Sequence, residues 1–278
     1  MKVLIIGASG LLAGPVIRKM DEAGFELRLF SRNVHPGMFV EEYEIVNGDV
    51  FQPEDLAPAM KDCDAVHISI SVDQEDQAVQ QILEAAKAAG IRLVSMVSGA
   101  TVSEENRWFS FTDKKFRAEQ MVMHSGIPYL IFRPTWFFES LERMVRNGKA
   151  MVPGRQIHPY HWLASDDFAS RVVRAFSNKK YYNGAYYVYG PETYTMKEVL
   201  EKYCGACYPE IKKVAETPLS ILRFIAWITR NKQLSFATKL FGYFSKVQEP
   251  EITDGQRYLL GKPELDFDAW VTAIKMER

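Results

Sequence analysis

The feature that most constrains this chain is a glycine-rich turn close to its N-terminus. The sequence G-A-S-G-L-L-A occupies residues 7–13, directly after the aliphatic run 3–6 and directly before a helical pattern. Such an aliphatic run is typical of a parallel strand that is buried on both faces. Gly7 permits a tight turn, Gly10 lets the backbone approach an anion closely, and the small Ala13 lets the helix pack on the strand. The turn therefore predicts a strand-turn-helix unit whose free N–H groups bind a diphosphate.

The first half of the chain continues this alternation of strands and helices. We predict strands over 26–30, 43–46, 65–71, 91–97 and 129–132, and helices over 54–61, 74–89, 112–125 and about 136–147. This spacing predicts an α/β fold with a Rossmann-type, doubly wound parallel sheet. A (β/α)₈ barrel would need three more such units, and the sequence after residue 150 does not supply them.

The pattern after residue 150 is mixed, with an aromatic-rich segment and several helical stretches. We predict a nucleotide-binding Rossmann domain over 1–150 and a small, mostly helical substrate lobe over 151–278. The lobe is interleaved with a last sheet strand near 186–189. A chain of 278 residues is short for two unrelated domains.

Charge and cysteine content exclude several classes of protein. The chain has 34 Lys and Arg against 35 Asp and Glu, so it has no strong positive field and we expect no nucleic-acid partner. Three cysteines do not make a disulfide framework, which indicates a reducing compartment, and we interpret the protein as cytoplasmic. The apolar stretches 3–7 and 219–227 are too short to span a bilayer.

Two short motifs are weak candidates for metal or redox chemistry. His158 and His161 are separated by Pro159, which favours an extended segment, and no third ligand is evident, so we predict no metal site. Cys204 and Cys207 have the spacing of a redox motif, but they end a predicted helix instead of starting one.

The residues that follow the second and third strands bear on which nucleotide is bound. An acidic residue after the second strand would accept hydrogen bonds from a ribose, whereas an arginine there would pair with a 2′-phosphate. Arg32 therefore favours NADP over NAD, although NAD is possible and a solvated arginine is the alternative. Asp49 is either a cap for the adenine amino group or a turn former.

Two further tracts carry a family resemblance. Together with the glycine turn, K-F-R-A-E at 115–119 and S-G-I-P-Y-L-I-F-R-P at 125–134 resemble the NmrA-like group of atypical short-chain dehydrogenases. Segments 162–169 and 190–195 extend the resemblance over about residues 1–200. It implies a Rossmann core that binds NAD(P), with a substrate cleft under the C-terminal lobe. The predicted cofactor-binding residues are Gly7, Ser9, Gly10, Leu11, Leu12, Arg32, Asp49, Val50, Ile70, Lys115 and Pro134.

The resemblance fails at one residue of the expected chemistry. Typical short-chain dehydrogenases use Tyr-x-x-x-Lys, in which the phenol exchanges a proton with the substrate oxygen. Here Phe111 stands in the tyrosine position and Lys115 in the lysine position, so enzymatic turnover is uncertain. Lys115 and Ser98 are the candidate catalytic residues, against the alternatives of a solvated helix lysine and a simple Ser-Gly turn. A proton would have to come from Tyr160, His158, His161 or water.

An apolar substrate pocket is the last site that the sequence suggests. Its candidate residues are Trp136, Phe137, Tyr160 and His161. Trp136 and Phe137 are equally consistent with a place in the hydrophobic core.

Three functions follow from this pattern. The first is an NADPH-dependent reductase of a small apolar or aromatic carbonyl or enone compound. The second is a non-catalytic NAD(P)H-sensing protein that acts on a partner protein, and the third is a nucleotide-holding accessory subunit that docks through 219–244. We expect a monomer or a homodimer.

Overall fold

A computed structural model describes residues 1–276 of the chain. The strands are β1 Lys2–Ile6, β2 Glu26–Ser31, β3 Glu44–Asn47, β4 Ala65–Ile68, β5 Leu93–Val97, β6 Tyr129–Pro134, β7 Val145–Arg146, β8 Lys149–Pro153, β9 Tyr160–Trp162, β10 Gly184–Val188, β11 Glu192–Tyr194 and β12 Val214–Thr217. The α-helices are α1 Ala13–Glu22, α2 Pro53–Met60, α3 Glu75–Ala88, α4 Ser110–Met123, α5 Ser165–Phe176, α6 Met196–Cys207, α7 Leu219–Thr229, α8 Lys232–Phe244, α9 Asp254–Arg257 and α10 Phe267–Met276.

The central element is a seven-stranded sheet with the order β10-β6-β5-β4-β1-β2-β3. Every neighbouring pair in this sheet is parallel. The chain runs outward from β1 to β3 on one side and restarts at β4 on the other, so the strand order reverses between β1 and β4. This is the doubly wound Rossmann order, and it confirms the predicted fold class.

Helices cover both faces of this sheet. Leu4 and Ile6 of β1 belong to an apolar core that includes Leu56, Ile82 and Val122 of α2, α3 and α4. Successive strand residues point to opposite faces, so Val3 and Ile5 face the other layer. On that face α1 packs against α5, and the sheet residue Phe132 contacts Phe168 of α5 with ring centroids 5.9 Å apart. The strands are therefore buried on both sides, as their aliphatic runs predicted.

The chain divides into two compact units. The first comprises Met1–Pro134, Ser165–Val188 and Ile252–Lys262, and it contains the whole seven-stranded sheet. The second comprises Thr135–Ala164, Tyr189–Glu251 and the described residues from Pro263 onward. The predicted division at residue 150 into two functional domains stays a prediction.

The second unit has its own aromatic core. Its strands form a three-stranded sheet (β7, β8, β12) and a two-stranded sheet (β9, β11). Phe138 stacks on Trp162 and on Trp270 of α10, with ring centroids 6.2 and 5.0 Å apart. A Cβ at Gly190 would lie 1.5 Å from the backbone oxygen of Trp162, so only glycine fits against this core.

The helix predicted over 136–147 is wrong. Residues Phe138–Met144 form a 3₁₀ helix, and the chain then enters the antiparallel pair β7–β8. The cause is the turn at Asn147 and Gly148, whose φ angles are 51° and 69°. Asn-Gly with two positive φ angles is the preferred connection of a tight β-hairpin, and it overrides the helical spacing of the apolar residues before it.

In residues 1–276 no helix is both long and apolar enough to cross a membrane.

Candidate functional site

The glycine turn closes tightly against two neighbouring strands. Gly7 follows β1 with a φ of 89°, and a Cβ there would lie 2.1 Å from the backbone oxygen of Ser69, just after β4. The N–H groups of Gly7 and Ala8 donate to the carbonyl oxygen of Phe30 in β2, at 2.9 and 3.2 Å. A side chain at position 7 would push this turn away from β4, so the turn depends on glycine.

The start of α1 offers unpaired donors next to that turn. Gly10 N donates to Gly7 O at 2.9 Å, and Ala13 N donates to Gly10 O at 3.1 Å. Leu12 is the N-cap residue and no side chain caps the helix. For the N–H groups of Ser9, Leu11 and Leu12, the described chain supplies no acceptor. Because the loop around Gly10 is exposed, an anion would find these donors and the positive helix end accessible.

The end of β2 lies beside this loop. The hydroxyl oxygens of Ser9 and Ser31, the last residue of β2, are 2.7 Å apart. The next residue, Arg32, is exposed, and the described residues give it no ion-pair partner. The structure thus brings a free guanidinium to the strand end that follows the anion-binding loop.

Asp49 and Val50 lie at the end of the neighbouring strand β3. Gly48 N donates to Ser31 O at 3.3 Å, which holds this segment beside the end of β2. One carboxylate oxygen of Asp49 accepts the N–H of Phe51 at 3.1 Å, and its own N–H donates to Asp55. Asp49 therefore stabilises its own turn through one carboxylate oxygen, and its second oxygen can still accept a hydrogen bond from a ligand. The side chain of Val50 is buried.

The ends of β4, β5 and β6 bring further predicted residues to the same edge of the sheet. Ile70 Cγ2 lies 3.4 Å from the position a Cβ would take on Gly7. Ser98 N donates to Phe132 O at 2.7 Å, and Ala100 N donates to Pro134 O at 2.8 Å. The Ser98 hydroxyl is buried, and no partner for it exists among the described residues. A buried hydroxyl without a partner is costly unless a ligand satisfies it.

Lys115 is held by a residue that sequence reasoning missed. Its ammonium Nζ donates to Glu75 Oε1 at 2.7 Å, and the two side chains are only 10% and 2% exposed. The same Nζ lies 5.4 Å from the centroid of the Phe111 ring. Lys115 is therefore neither a solvated helix lysine nor an isolated charge, since a buried carboxylate neutralises it.

Burial dominates the electrostatics of Glu75. It raises the pKa of Glu75, while the charge and hydrogen bond of Lys115 act in the opposite direction. The second carboxylate oxygen of Glu75 is buried without a partner in the described chain. In the sequence Glu75 is only an acidic residue in the first turn of α3, a position that usually just complements the helix dipole, so no local signal distinguishes it.

The predicted pocket residues Trp136, Phe137 and Tyr160 belong to the second unit. Trp136 contacts Phe244 with ring centroids 4.8 Å apart and stacks on Phe241 at 5.9 Å. The Tyr160 hydroxyl donates to the carbonyl oxygens of Phe244 and Val247, and burial raises the pKa of this phenol. Phe137 is buried too. Within their unit Trp136 and Tyr160 form an aromatic cluster with Phe241 and Phe244.

His161 is the centre of a second polar group, which is largely but not fully buried. Its Nδ1 lies 2.9 Å from Glu249 Oε2, which also accepts the His161 backbone N–H at 2.9 Å. The Thr135 hydroxyl donates to the other oxygen of Glu249. The imidazole stacks on Tyr189 with ring centroids 4.9 Å apart. His158 is bound instead to Gln248, so the structure does not bring the two histidines to one point.

Comparison with known proteins identifies the family. A family model described as NAD(P)H-binding matches residues 7–178, more than half of the chain. This chain belongs to that NAD(P)H-binding family. The match includes the glycine turn, Arg32, Ser98 and Lys115.

Individual relatives resemble this chain over most of its length but at low sequence identity. The photosystem II assembly factor Ycf39 of Trieres chinensis is 24% identical over 243 residues, which cover 82% of this chain and 76% of that protein. An NAD(P)H azoreductase of Xenophilus azovorans is 23% identical and covers 77% of each chain. The structure of the Citrobacter sp. triphenylmethane reductase complexed with NADP(H) superimposes with a TM-score of 0.76 at 17% identity, over 98% of this chain and 99% of that chain.

The family match confirms the predicted NAD(P)-binding protein and its cofactor class, and the likeness to the solved structure confirms the Rossmann fold. By name, the relatives include an NAD(P)H azoreductase and a photosystem II assembly factor. The roles of the individual site residues stay predictions.

Proposed function

We propose that the protein is an NADPH-dependent reductase of a small apolar or aromatic carbonyl or enone compound. The observation that carries this proposal is the anion-binding turn at residues 7–13 with the unpaired Arg32 beside it. The donors of Ser9, Leu11 and Leu12 fit a diphosphate, since they lie in one turn at the positive end of a helix and this turn is largely exposed. When bound, the reduced dinucleotide supplies a hydride to an electrophilic carbon.

Arg32 is the basis for preferring NADPH over NADH. A free guanidinium pairs well with a phosphate, and the exposed side chain of Arg32 has no competing carboxylate in the described chain. The hydrogen bond between Ser9 and Ser31 holds the strand end next to the phosphate loop. We assign Gly7, Gly10 and Ile70 to shaping this loop, and Asp49 and Val50 to the adenosine side.

Ser98, Lys115 and Pro134 are proposed for the nicotinamide side. Ser98 offers a buried hydroxyl with no partner in the described residues. A ligand that hydrogen-bonds to this hydroxyl would remove the free-energy cost of leaving it unpaired. Lys115 retains two N–H donors beyond the one that Glu75 accepts. Phe111 cannot donate a proton, so the substrate oxygen would take its proton from water or from a group outside the usual tyrosine position.

The second unit, with its aromatic cluster around Trp136, is proposed as the substrate lobe. An apolar or aromatic substrate matches the side chains that this unit contributes, among them Phe137 and Tyr160. The azoreductase and the triphenylmethane reductase are reductases by name, and this supports the same reaction class.

One observation favours a second candidate, a dinucleotide-binding protein that assists or regulates a partner without turnover. Phe111 replaces the usual proton donor, and Glu75 neutralises Lys115 beside it. A relative that is an assembly factor agrees with this candidate.

Fluorescence titration with NADPH and NADH tests the cofactor assignment. We expect NADPH to bind more tightly than NADH. Arg32→Ala should weaken NADPH binding by roughly 10- to 100-fold, which corresponds to the loss of one hydrogen bond to a charged group, and should have little effect on NADH binding. Gly10→Asp should weaken both nucleotides, because it places a negative charge in the anion site. The exposed Arg146→Ala is the matched control.

A substrate screen then separates the two candidates. NADPH oxidation is followed with quinones, azo compounds, aromatic aldehydes and enones. Turnover that Arg32→Ala reduces supports the reductase, whereas tight NADPH binding without any oxidation supports the non-catalytic candidate. If neither nucleotide binds, both are wrong.

A further inference from the structure

Helix α7 exposes an unusual amount of apolar surface. Its exposed side chains include Phe224 at 60%, Trp227 at 75% and Ile228 at 59%, together with Ile221 and Ile225. Within this 11-residue helix only Leu222 and Ala226 are buried. Single exposed apolar residues are normal, but a contiguous group of five on one short helix marks an interaction surface.

The same segment is strongly basic. Residues 218–248, which contain α7 and α8, include five Lys or Arg and no Asp or Glu, although the whole chain has a net charge of −1. Arg223, Arg230, Lys232 and Lys239 are all exposed, and no ion pair involves them in the described part of the chain. The partner of this surface is therefore expected to be both apolar and anionic.

A pocket lies between α7 and α8, beside two of these cations. Its volume is about 210 Å³, and it is lined by Arg223, Ala226, Trp227, Ser235, Thr238 and Lys239. The guanidinium of Arg223 reaches across to α8, where its Nη2 lies 3.3 Å from the position of a Cβ on Gly242. The Thr238 hydroxyl donates to the Ser235 carbonyl oxygen, so two cations and the Ser235 hydroxyl are the donors that face this small cavity. Such a set of donors suits a phosphate group.

We propose that α7 and α8 dock on an anionic phospholipid surface. The apolar side chains of α7 would enter the boundary between headgroups and acyl chains, and a headgroup phosphate would occupy the pocket at Arg223 and Lys239. An 11-residue helix is about 16 Å long, about half of the roughly 30 Å hydrocarbon thickness. It therefore lies in the interface and does not cross it.

A second copy of the chain fits this surface less well. A symmetric contact between two α7 faces would bring Arg223 and Arg230 of one copy near the same residues of the other. Like charges in a desolvated contact are strongly unfavourable. An anionic lipid surface neutralises them instead. This inference uses only residues of the second unit and does not depend on the proposed reductase activity.

Co-sedimentation of the full chain with vesicles tests the proposal. The vesicles are phosphatidylcholine alone and an equimolar mixture of phosphatidylcholine and phosphatidylglycerol. We expect binding to the anionic vesicles and little binding to the neutral ones. Each basic residue near the surface contributes roughly fivefold to the partition coefficient, so Arg223→Gln with Lys239→Gln should reduce it about 25-fold.

Matched variants separate charge at this site from charge in general. Lys61→Gln with Lys87→Gln removes the same number of positive charges from exposed positions in the first unit and should have little effect. Phe224→Gln with Trp227→Gln should abolish binding, and the blue shift of tryptophan emission on adding anionic vesicles should disappear with Trp227→Gln. NADPH binding and circular dichroism confirm that each variant is folded.

Three results would overturn the proposal. The first is no binding to either vesicle, and the second is equal loss of binding in the Lys61 and Lys87 control. The third is concentration-dependent self-association that Trp227→Gln abolishes in the absence of lipid, which would make α7 a dimer interface. Binding of α7 to an acidic protein without binding to anionic vesicles would likewise replace the lipid by a protein partner.

Discussion

Replacing Lys115 with methionine should destabilise the chain mainly because it leaves the Glu75 carboxylate without a cation. The two side chains are 10% and 2% exposed and their charged atoms are 2.7 Å apart. Methionine is similar in length and apolar, so the change removes the charge with little loss of packing. Removing one partner of such a buried pair costs about 3–5 kcal/mol in the free energy of unfolding.

The cost should depend on pH with a defined sign. Burial already raises the pKa of Glu75, and Lys115 opposes that rise. Without Lys115 the folded-state pKa rises further above its unfolded value, so the folded protein holds the proton more tightly than the unfolded chain does. Stability is then retained at low pH and lost as pH increases through the folded-state pKa, by up to about 1.4 kcal/mol per pH unit.

Urea unfolding at about pH 5 and about pH 8, followed by fluorescence, measures this effect. The control is the double variant Glu75→Gln with Lys115→Met, which removes both charges and should recover most of the loss. A cost for Lys115→Met that is the same at both pH values, or a double variant as unstable as the single one, would refute this account of the pair.

The same double variant isolates any binding role of Lys115. If the lysine also contacts the nucleotide, NADPH should bind more weakly to the double variant even though its stability is restored. If NADPH binds as in the wild type, Lys115 only neutralises Glu75.

Three further predictions test other parts of the fold. Burial lowers the pKa of His67 to about 4, so the free energy of unfolding should fall as pH decreases from about 6.5 toward 4. The expected loss between pH 7 and pH 5 is about 2 kcal/mol. In urea titrations His67→Gln should not show this pH dependence. Gly7→Ala should abolish NADPH binding in fluorescence titrations, since its Cβ would overlap the Ser69 oxygen. Gly190→Ala should lower the Tm far more than Gly148→Ala. The new Cβ at position 190 would lie 1.5 Å from the backbone oxygen of Trp162, whereas the Cβ at position 148 would lie in open space. Gly148→Ala costs only the strain of its positive φ, about 1 kcal/mol.

The parts of the fold that the sequence predicts well are those where local chemistry and long-range packing agree. The aliphatic run of β1, the glycine at position 7 and the helix after it each require the same strand-turn-helix arrangement. The parallel sheet follows because helices separate most of its strands in the sequence, and a helical crossover connection joins parallel strands, whereas a short hairpin joins antiparallel ones. The sequence also predicts a last sheet strand near 186–189, and β10 covers Gly184–Val188.

Other features could not be predicted because they depend on side chains that meet only in the folded chain. Glu75 and Lys115 are 40 positions apart, and nothing around either residue specifies the other. Ser98 shows its missing hydrogen-bond partner only once burial is known. At 136–147 two local signals conflict, since the apolar residues have helical spacing whereas Asn147-Gly148 favours a hairpin turn, and in the folded chain the turn prevails.

The distribution of paired and unpaired cations shapes how this chain would recognise a dinucleotide. Glu75 neutralises Lys115, so the lysine contributes little net positive potential beyond its hydrogen-bond donors. The attraction for an anionic ligand then depends on the start of α1 and on Arg32, both of which are exposed at the other end of the predicted site. A phosphate on the adenosine ribose would lie near Arg32 and would strengthen binding, whereas NADH lacks that phosphate. Lys115 is proposed for the nicotinamide side, which NADPH and NADH share, so its charge should add the same free energy to the binding of both nucleotides. Glu75→Gln, which frees the lysine charge, should therefore improve both affinities by about the same factor, whereas Arg32→Ala should remove most of the preference for NADPH.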